Sequence, residues 1–409
     1  MKEAVRIGGD ARVQVPGQVT SPRGFVAGGV ACGIKPAALD LGILFCEVPA
    51  VSAAVYTQNT FRAAPLVVTE ESLAQDGRLQ AVVVNSGNAN ACTGERGLAD
   101  ARQMRREAAR RFGIPEHHVA VASTGVIGVF LPMDKLAEGI ATAKLSASGS
   151  DAFAAAICTT DTRRKTAEIR LTVDGRPVTI AGAAKGAGMI HPNMATMLAF
   201  LTTDAAVKPD VLREALQAAV DVSFNMISVD GDTSTNDMVL MMASGLAENR
   251  PLSPEHPDWS LFVEALSAVC VELAQQIARD GEGATRILEV TVEGAADPSM
   301  ARQVARAIAQ SNLVKTAVYG GDANWGRIVM AIGNSGCAIV PERVRVWLGP
   351  VQVVEAGMPT DYDEAEATVA FTVEHVFIRV HLGLGEATAT AWGSDLTEGY
   401  VHINASYRS

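Results

Sequence analysis

Leu79-Gln80-Ala81-Val82-Val83-Val84, followed by Asn85-Ser86-Gly87-Asn88-Ala89-Asn90, sets the fold class. The first six residues read as a buried strand, and the next six as the polar loop that ends it. Helical spacing then runs from about 97 to 112 and stops at Gly113, with Pro115 beyond. Val119-Ala120-Val121-Ala122 is a second short strand, leading into Ser123-Thr124-Gly125. Strand, helix and strand in that order mark an α/β protein.

The same alternation continues outward. Residues 166–181 alternate around Asp174-Gly175, a hairpin turn signal. Met197-Leu198-Ala199-Phe200-Leu201 is another apolar strand, and a helix is expected over 209–222. Helical periodicity returns over 259–278 and 299–308, and strands are expected at 287–293, 343–349, 366–373 and 386–392. The hairpins argue against a purely parallel, doubly wound sheet, so the expectation is a mixed α/β fold.

Composition bounds the function. The 409 residues are enough for about two or three structural units. With 48% hydrophobic and 19% charged residues, the chain reads as packed rather than disordered. A formal charge of -11 argues against a nucleic-acid backbone as partner. The basic stretch from Arg102 to Arg111 sits on helical spacing and reads as a solvated helix face. Cys32, Cys46, Cys92, Cys158, Cys270 and Cys337 form no C-x-x-C pair and match no zinc module, so buried free thiols are expected. The first residues lack the apolar core of a signal peptide, and no run of about 18 apolar residues appears, so a cytoplasmic setting without a membrane span is expected. There is no G-x-G-x-x-G opening a helix, no G-x-x-x-x-G-K-[ST], no H-E-x-x-H and no G-x-S-x-G. Neither a metal nor a tightly held cofactor is expected.

The stretch richest in chemistry is Lys185-Gly186-Ala187-Gly188-Met189-Ile190-His191-Pro192-Asn193-Met194-Ala195-Thr196-Met197-Leu198. On composition alone it is a Gly/Pro-rich loop that enters the next strand. Position for position, however, it resembles the signature of the ornithine acetyltransferase / bifunctional glutamate N-acetyltransferase family of arginine biosynthesis. That resemblance implies self-cleavage between Ala195 and Thr196, giving fragments 1–195 and 196–409 that stay associated and share one active site. It also implies an α-β-β-α layered fold related to the self-cleaving amidohydrolases. Thr196 is then the nucleophile. A threonine hydroxyl needs a base, and an amide nitrogen cannot be one. Cleavage frees an α-amine with a pKa near ~8, beside the hydroxyl it must activate.

Further segments carry the same resemblance along nearly the whole chain. Ser123-Thr124-Gly125-Val126-Ile127-Gly128 is similar to the family's oxyanion-hole turn, which maps to Thr124 and Gly125. Cys158-Thr159-Thr160-Asp161-Thr162 looks like its T-T-D-T element, with Thr159 as a substrate contact. Lys185 matches the substrate-binding lysine, 11 positions before the nucleophile, and Glu282 the glutamate of the D-G-E-G-A-T loop. The closing motif maps to Asn404 and Ser409. Asn85–Gly94, Ser228–Asp237 and Gly321–Arg327 also look like family segments and are expected to shape the site. The aspartates around Asp230 lack the twelfth-position glutamate of a calcium loop. Ala323 and Arg286 depart from the proline and lysine common at those positions.

The resemblance implies acetyl transfer from N2-acetyl-L-ornithine to L-glutamate through an acetylated Thr196. Thr196 would thus also be a substrate contact. An α2β2 assembly is implied, and some relatives also use acetyl-CoA as donor. Lysine suits a carboxylate and glutamate an ammonium, so Lys185 and Glu282 form an opposed pair. The alternative is a self-cleaving amidase or aminopeptidase of the related fold; those enzymes generally expose serine rather than threonine.

Overall fold

The computed structural model describes residues 6–7, 11–191 and 197–406. Ala195, Thr196 and Ser409 lie outside the described residues.

One sheet runs in the order Val119–Val126, Arg78–Asn88, Leu41–Tyr56, Met238–Ala243, Leu198–Thr203, Arg176–Lys185, Lys165–Val173. Phe25–Val30 pairs with Leu41–Tyr56 off that path. Two neighbouring pairs are parallel, Arg78–Asn88 with Val119–Val126 and Leu198–Thr203 with Met238–Ala243; the others are antiparallel. The long strand Leu41–Tyr56 breaks register between Phe45 and Ala50, around Pro49. Its first half pairs with Arg78–Asn88 and its second half with Met238–Ala243. Such an irregularity bends a strand. Here it turns one half of the sheet over onto the other.

Alternating side chains record this folding. Val82, Val84, Ala120 and Ala122 point into a core they share with Ala183, Leu198, Phe200, Met238 and Leu240 of the other half. The helix Ser150–Ile157 packs into this space, with the Phe153 ring edge-on to Phe200 at 5.5 Å. The opposite faces carry Val83 and Val121 against Met104, Ala108 and Ile140, and Ile169, Leu201 and Met241 against Leu216, Leu266 and Leu273. The result is an α-β-β-α layering. Helix Trp259–Arg279 is apolar and long enough to cross a membrane by length and composition, but Phe262, Leu266, Val269, Leu273 and Ile277 form a buried stripe at helical spacing.

A second sheet, with Ala387–Ser394, Ile287–Ala295, His375–His381 and Arg345–Leu348 at its centre, packs on helix Pro298–Gln310 and joins the same core. Residues 198–243 supply the two strands at the middle of the first sheet, between strands from residues 41–56 and 176–185. The parts on either side of position 195 are thus interleaved, with main-chain hydrogen bonds and core shared between them.

Several elements differ from the sequence reading. Residues 85–88 continue the strand rather than forming a loop, because their backbones pair with Ser123–Val126 and their polar side chains bond inside the protein. Residues 366–373 are not a strand; Glu364–Thr372 is a helix. Its cap is Asp363, which accepts hydrogen bonds from the Ala365 and Glu366 amides, and alternation was a poor guide beside such a cap. The strand comes just after it, at His375–His381. The basic stretch lies on Gly94–Phe112 but is not simply solvated: Arg102 and Arg105 reach Glu71, and Arg111 donates to the carbonyls of Ile140 and Ala143. All six cysteines are free, with Cys46 and Cys270 buried and Cys92 exposed.

Candidate active site

A cavity of about 400 Å³ opens where the two halves of the first sheet meet. Thr124, Gly125, Thr159, Lys185, Glu282 and Asn404 all line it, together with Met197 and Leu198, the residues that follow Thr196 in the chain. Five segments far apart in sequence therefore converge, and each is held there by identifiable contacts.

Thr124 and Gly125 end the strand Val119–Val126. Gly125 has φ +131°, and a Cβ there would lie 2.4 Å from the Gly87 carbonyl carbon, so the close approach of the two strands requires glycine. The turn is clamped from both sides. Ser123 donates its hydroxyl to Asn85 Oδ1 at 2.5 Å, and Asn236 Nδ2 donates to the carbonyls of Ser123 at 2.8 Å and Ala89 at 2.6 Å. Across the cavity Lys185, 8% exposed, brings its ammonium 3.2 Å from Thr124 Oγ1.

Beneath these residues lies a buried ion triad. Lys165, 1% exposed, places Nζ 2.6 Å from Asp161 Oδ1 and 2.6 Å from Asp280 Oδ2. Asp161 also accepts the amides of Gly186 at 2.7 Å and Thr159 at 2.9 Å. Asp280 accepts the amides of Thr162 and Arg163. The triad thus ties the Thr159 loop, the Lys185 strand end and the Glu282 loop into one unit. Burial works against the charge on Asp161, but Lys165, Lys185 and the Gly186 amide outweigh it and hold the carboxyl down at about 2. Asp161 and Asp280 stand inside the motifs quoted from the sequence; nothing there singled out Lys165.

Glu282 is positioned as closely. Its amide donates to the Ala187 carbonyl at 2.8 Å, and Asn404 Nδ2 donates to Glu282 Oε2 at 2.8 Å. Gly188 leaves room for the carboxylate, since a Cβ there would sit 2.4 Å from Glu282 Cδ. Asn404 comes from the helix Glu398–Ser406, which has no buried residue of its own.

The Ser228–Asp237 segment forms another wall. Asp230 accepts the amides of Met189 at 2.6 Å and Ile190 at 2.8 Å, holding Met189 at φ +54°. Burial raises the Asp230 carboxyl above its usual range. Lys315, 1% exposed, donates to the Val229 carbonyl, and burial pushes its ammonium down to about 8. Among the described residues, Asp230, Asp232 and Glu282 give the cavity three carboxyl groups against one ammonium, Lys185, besides the deeply buried Asp237. Such a lining favours a ligand with an ammonium group.

Two expected site segments lie elsewhere. Asn85–Gly94 supports the Thr124 turn from behind without lining the cavity. Gly321–Arg327 spans the turn after helix Asn312–Gly320 and the start of helix Trp325–Gly333, and opens on a different cavity with Tyr362 and Glu364. Its resemblance to the family therefore does not make it part of this wall. Away from both cavities, Asp76, His117 and His118 bring three metal-capable atoms within 4.8 Å, where His118 Nε2 is already hydrogen-bonded to Asp76 at 2.9 Å.

Residues 26–409 match the model of the ArgJ family. The chain belongs to that family. Membership makes it an acyltransferase of arginine biosynthesis, the class its motifs resemble. It is similar to the arginine biosynthesis bifunctional protein ArgJ of Geobacillus kaustophilus, with 56% identity over 395 residues, 96% of each chain. The Bacillus subtilis protein of the same name is 51% identical over 405 residues, covering 99% of this chain and all of that one. Among solved structures, an ornithine acetyltransferase from Mycobacterium tuberculosis complexed with ornithine is 42% identical. It covers 45% of this chain and 100% of its own, with a TM-score of 0.42.

Proposed function

We propose that this enzyme cuts itself between Ala195 and Thr196 and then moves an acetyl group from N2-acetyl-L-ornithine to L-glutamate through an ester on Thr196. The observation that carries the reading is the convergence of Thr124, Gly125, Thr159, Lys185, Glu282 and Asn404 on one cavity beside Met197, the neighbour of Thr196.

In self-cleavage the Thr196 hydroxyl attacks the Ala195 carbonyl, the peptide bond shifts to an ester, and water hydrolyses the ester. The freed α-amine then serves as base for the same hydroxyl. The Thr124–Gly125 turn receives the tetrahedral oxyanion, a contribution of roughly 3 kcal/mol per donor in acyl transfer. Lys185 attracts a carboxylate of the substrate, and Glu282 with Asn404 attracts the ammonium that distinguishes ornithine from glutamate. Thr159 and Ser409 complete the substrate contacts. Fragments 1–195 and 196–409 stay together because the sheet is interleaved, and two such pairs form the α2β2 assembly. The enzyme works in the cytoplasm without a metal or bound cofactor, and acetyl-CoA is a second acetyl donor.

The test is steady-state kinetics with both substrates varied. Parallel double-reciprocal lines are expected, with one equivalent of ornithine released per site without glutamate and further turnover only in its presence. Continuous release of ornithine without glutamate, well beyond one equivalent per site, would point instead to the self-cleaving amidase or aminopeptidase reading.

A further inference from the structure

Asp237 has no place in the chemistry so far, yet it lines the cavity while its side chain is withdrawn from solvent. It is 2% exposed, and its Oδ2 has no hydrogen-bond partner among the described residues. An orphaned polar atom at such a depth is costly and calls for a ligand-linked role.

Its place in the sheet is well fixed. The Thr57 amide donates to the Asp237 carbonyl at 3.0 Å, and the next amide, Met238, donates to the Met197 carbonyl at 3.0 Å. Leu198 pairs with Met238 on one side and Lys185 on the other. Asn236 fastens the same segment to the Ser123 carbonyl beside Thr124. Asp237 is therefore at the reacting end of the cavity, level with Met197. Lys185, Asp230, Asp232, Glu282 and Tyr400 share the cavity with it, and Tyr56 stands on the neighbouring strand. Lys185 is bonded to Thr124. Burial is the main influence on Asp237 and raises its carboxyl well above the usual range, against the opposing pull of Ser234 and Lys185.

The proposed transfer leaves a proton to be accounted for. When the amide of the acetyl donor breaks, the hydroxyl proton of Thr196 can pass through the α-amine to the departing nitrogen, which leaves as a neutral amine and must gain one proton to become ammonium. Glutamate arrives as an ammonium and must lose one proton before its nitrogen can attack the ester. Building on that proposed acyl-enzyme reaction, we infer that Asp237 is the proton carrier of the site. It gives its proton to the departing amine, waits as a carboxylate in the acetyl-enzyme, and recovers a proton from the incoming ammonium. The C–N bond broken in the first half-reaction is matched by the C–N bond formed in the second, and the carrier ends as it began.

The experiment compares wild type with Asp237→Asn, as full chains, on two substrate pairs. One pair is N-acetylornithine with glutamate. The other is 4-nitrophenyl acetate with hydroxylamine, whose leaving group departs without a proton and whose acceptor arrives neutral. Loss of a proton carrier predicts about 100-fold or greater loss on the first pair and less than about threefold on the second. Asp237→Glu, which keeps an acid, is expected to recover part of the first rate. Equal losses on both pairs, or no loss on the first, overturn the assignment. If Asp237→Asn folds but remains uncut, cutting of Asp237→Glu supports the same carrier at the scissile amide, and an uncut Asp237→Glu counts against it. Wild type that gains no acetyl group on fragment 196–409 from N-acetylornithine would overturn the acyl-enzyme reading itself.

Discussion

The Lys185 ammonium and the Thr124 hydroxyl meet at 3.2 Å although 61 residues separate them and they sit on strands at distant positions in the sheet order. The contact exists because the strand Leu41–Tyr56 bends and folds the two halves of the sheet together. It puts a cation at the turn proposed to receive the oxyanion. Lys185→Met removes the cation proposed to attract a substrate carboxylate, and should reduce kcat/KM by about 10-fold to 100-fold, the scale of one charge-assisted hydrogen bond. Kinetics of the purified variant check this, and a loss of less than about threefold would remove Lys185 from that role.

Gly125→Ala is expected to be worse than its size suggests. The new methyl meets the Gly87 backbone at 2.4 Å, and the backbone angle is one that alanine rarely adopts. Strain of about 1–3 kcal/mol should appear as a lower unfolding midpoint. Acyl transfer should fall by about 100-fold or more as the turn shifts. Thermal unfolding and single-turnover acetylation would separate the two effects.

Glu282→Gln should raise KM for N-acetylornithine about tenfold or more, because a charge-assisted hydrogen bond worth roughly 1.5–3 kcal/mol becomes a neutral one. Gly188→Ala should resemble it, since its Cβ occupies the space of the Glu282 carboxylate. Equal KM values for either variant and wild type would contradict the proposed ammonium contact.

Lys165→Met should cost about 3–5 kcal/mol, because it leaves Asp161 and Asp280 buried without their shared cation. The triad also sets a pH dependence. The folded Asp161 carboxyl is held down at about 2, below the ordinary aspartate value, so its contribution is present above the unfolded pKa and is lost as pH falls through the folded one. The stability gap between wild type and Asp161→Asn should narrow on acidification through this window. Denaturant titrations at several pH values measure it, and a gap that widens would contradict the sign.

The sequence made some of this legible and hid the rest for physical reasons. Val82 to Val84 and Val119 to Ala122 announce strands because both faces are buried, and Gly113 and Asp174-Gly175 end their elements in left-handed conformations. Residues 85–88 looked like a loop because their polar side chains find partners only in the folded interior. At 366–373 apolar alternation competed with the Asp363 cap, and the cap decided. Thr159, Glu282 and Asn404 could be named from motifs, but their supports could not. Lys165 carries no local pattern, and its meaning comes from Asp280, 115 positions away. The Gly321–Arg327 motif shows the converse, a local pattern that reads clearly but lies on another cavity.

The central claim, that Thr196 becomes the acyl-carrying amino terminus of a second fragment, is tested most directly by denaturing mass analysis of wild type and Thr196→Ala before and after N-acetylornithine. The account predicts fragments 1–195 and 196–409 from wild type, with one acetyl group added to the second. It predicts a single unacetylated 42.8 kDa chain from the variant. An intact wild-type chain, or a Thr196→Ala chain cut at the same bond, would contradict it.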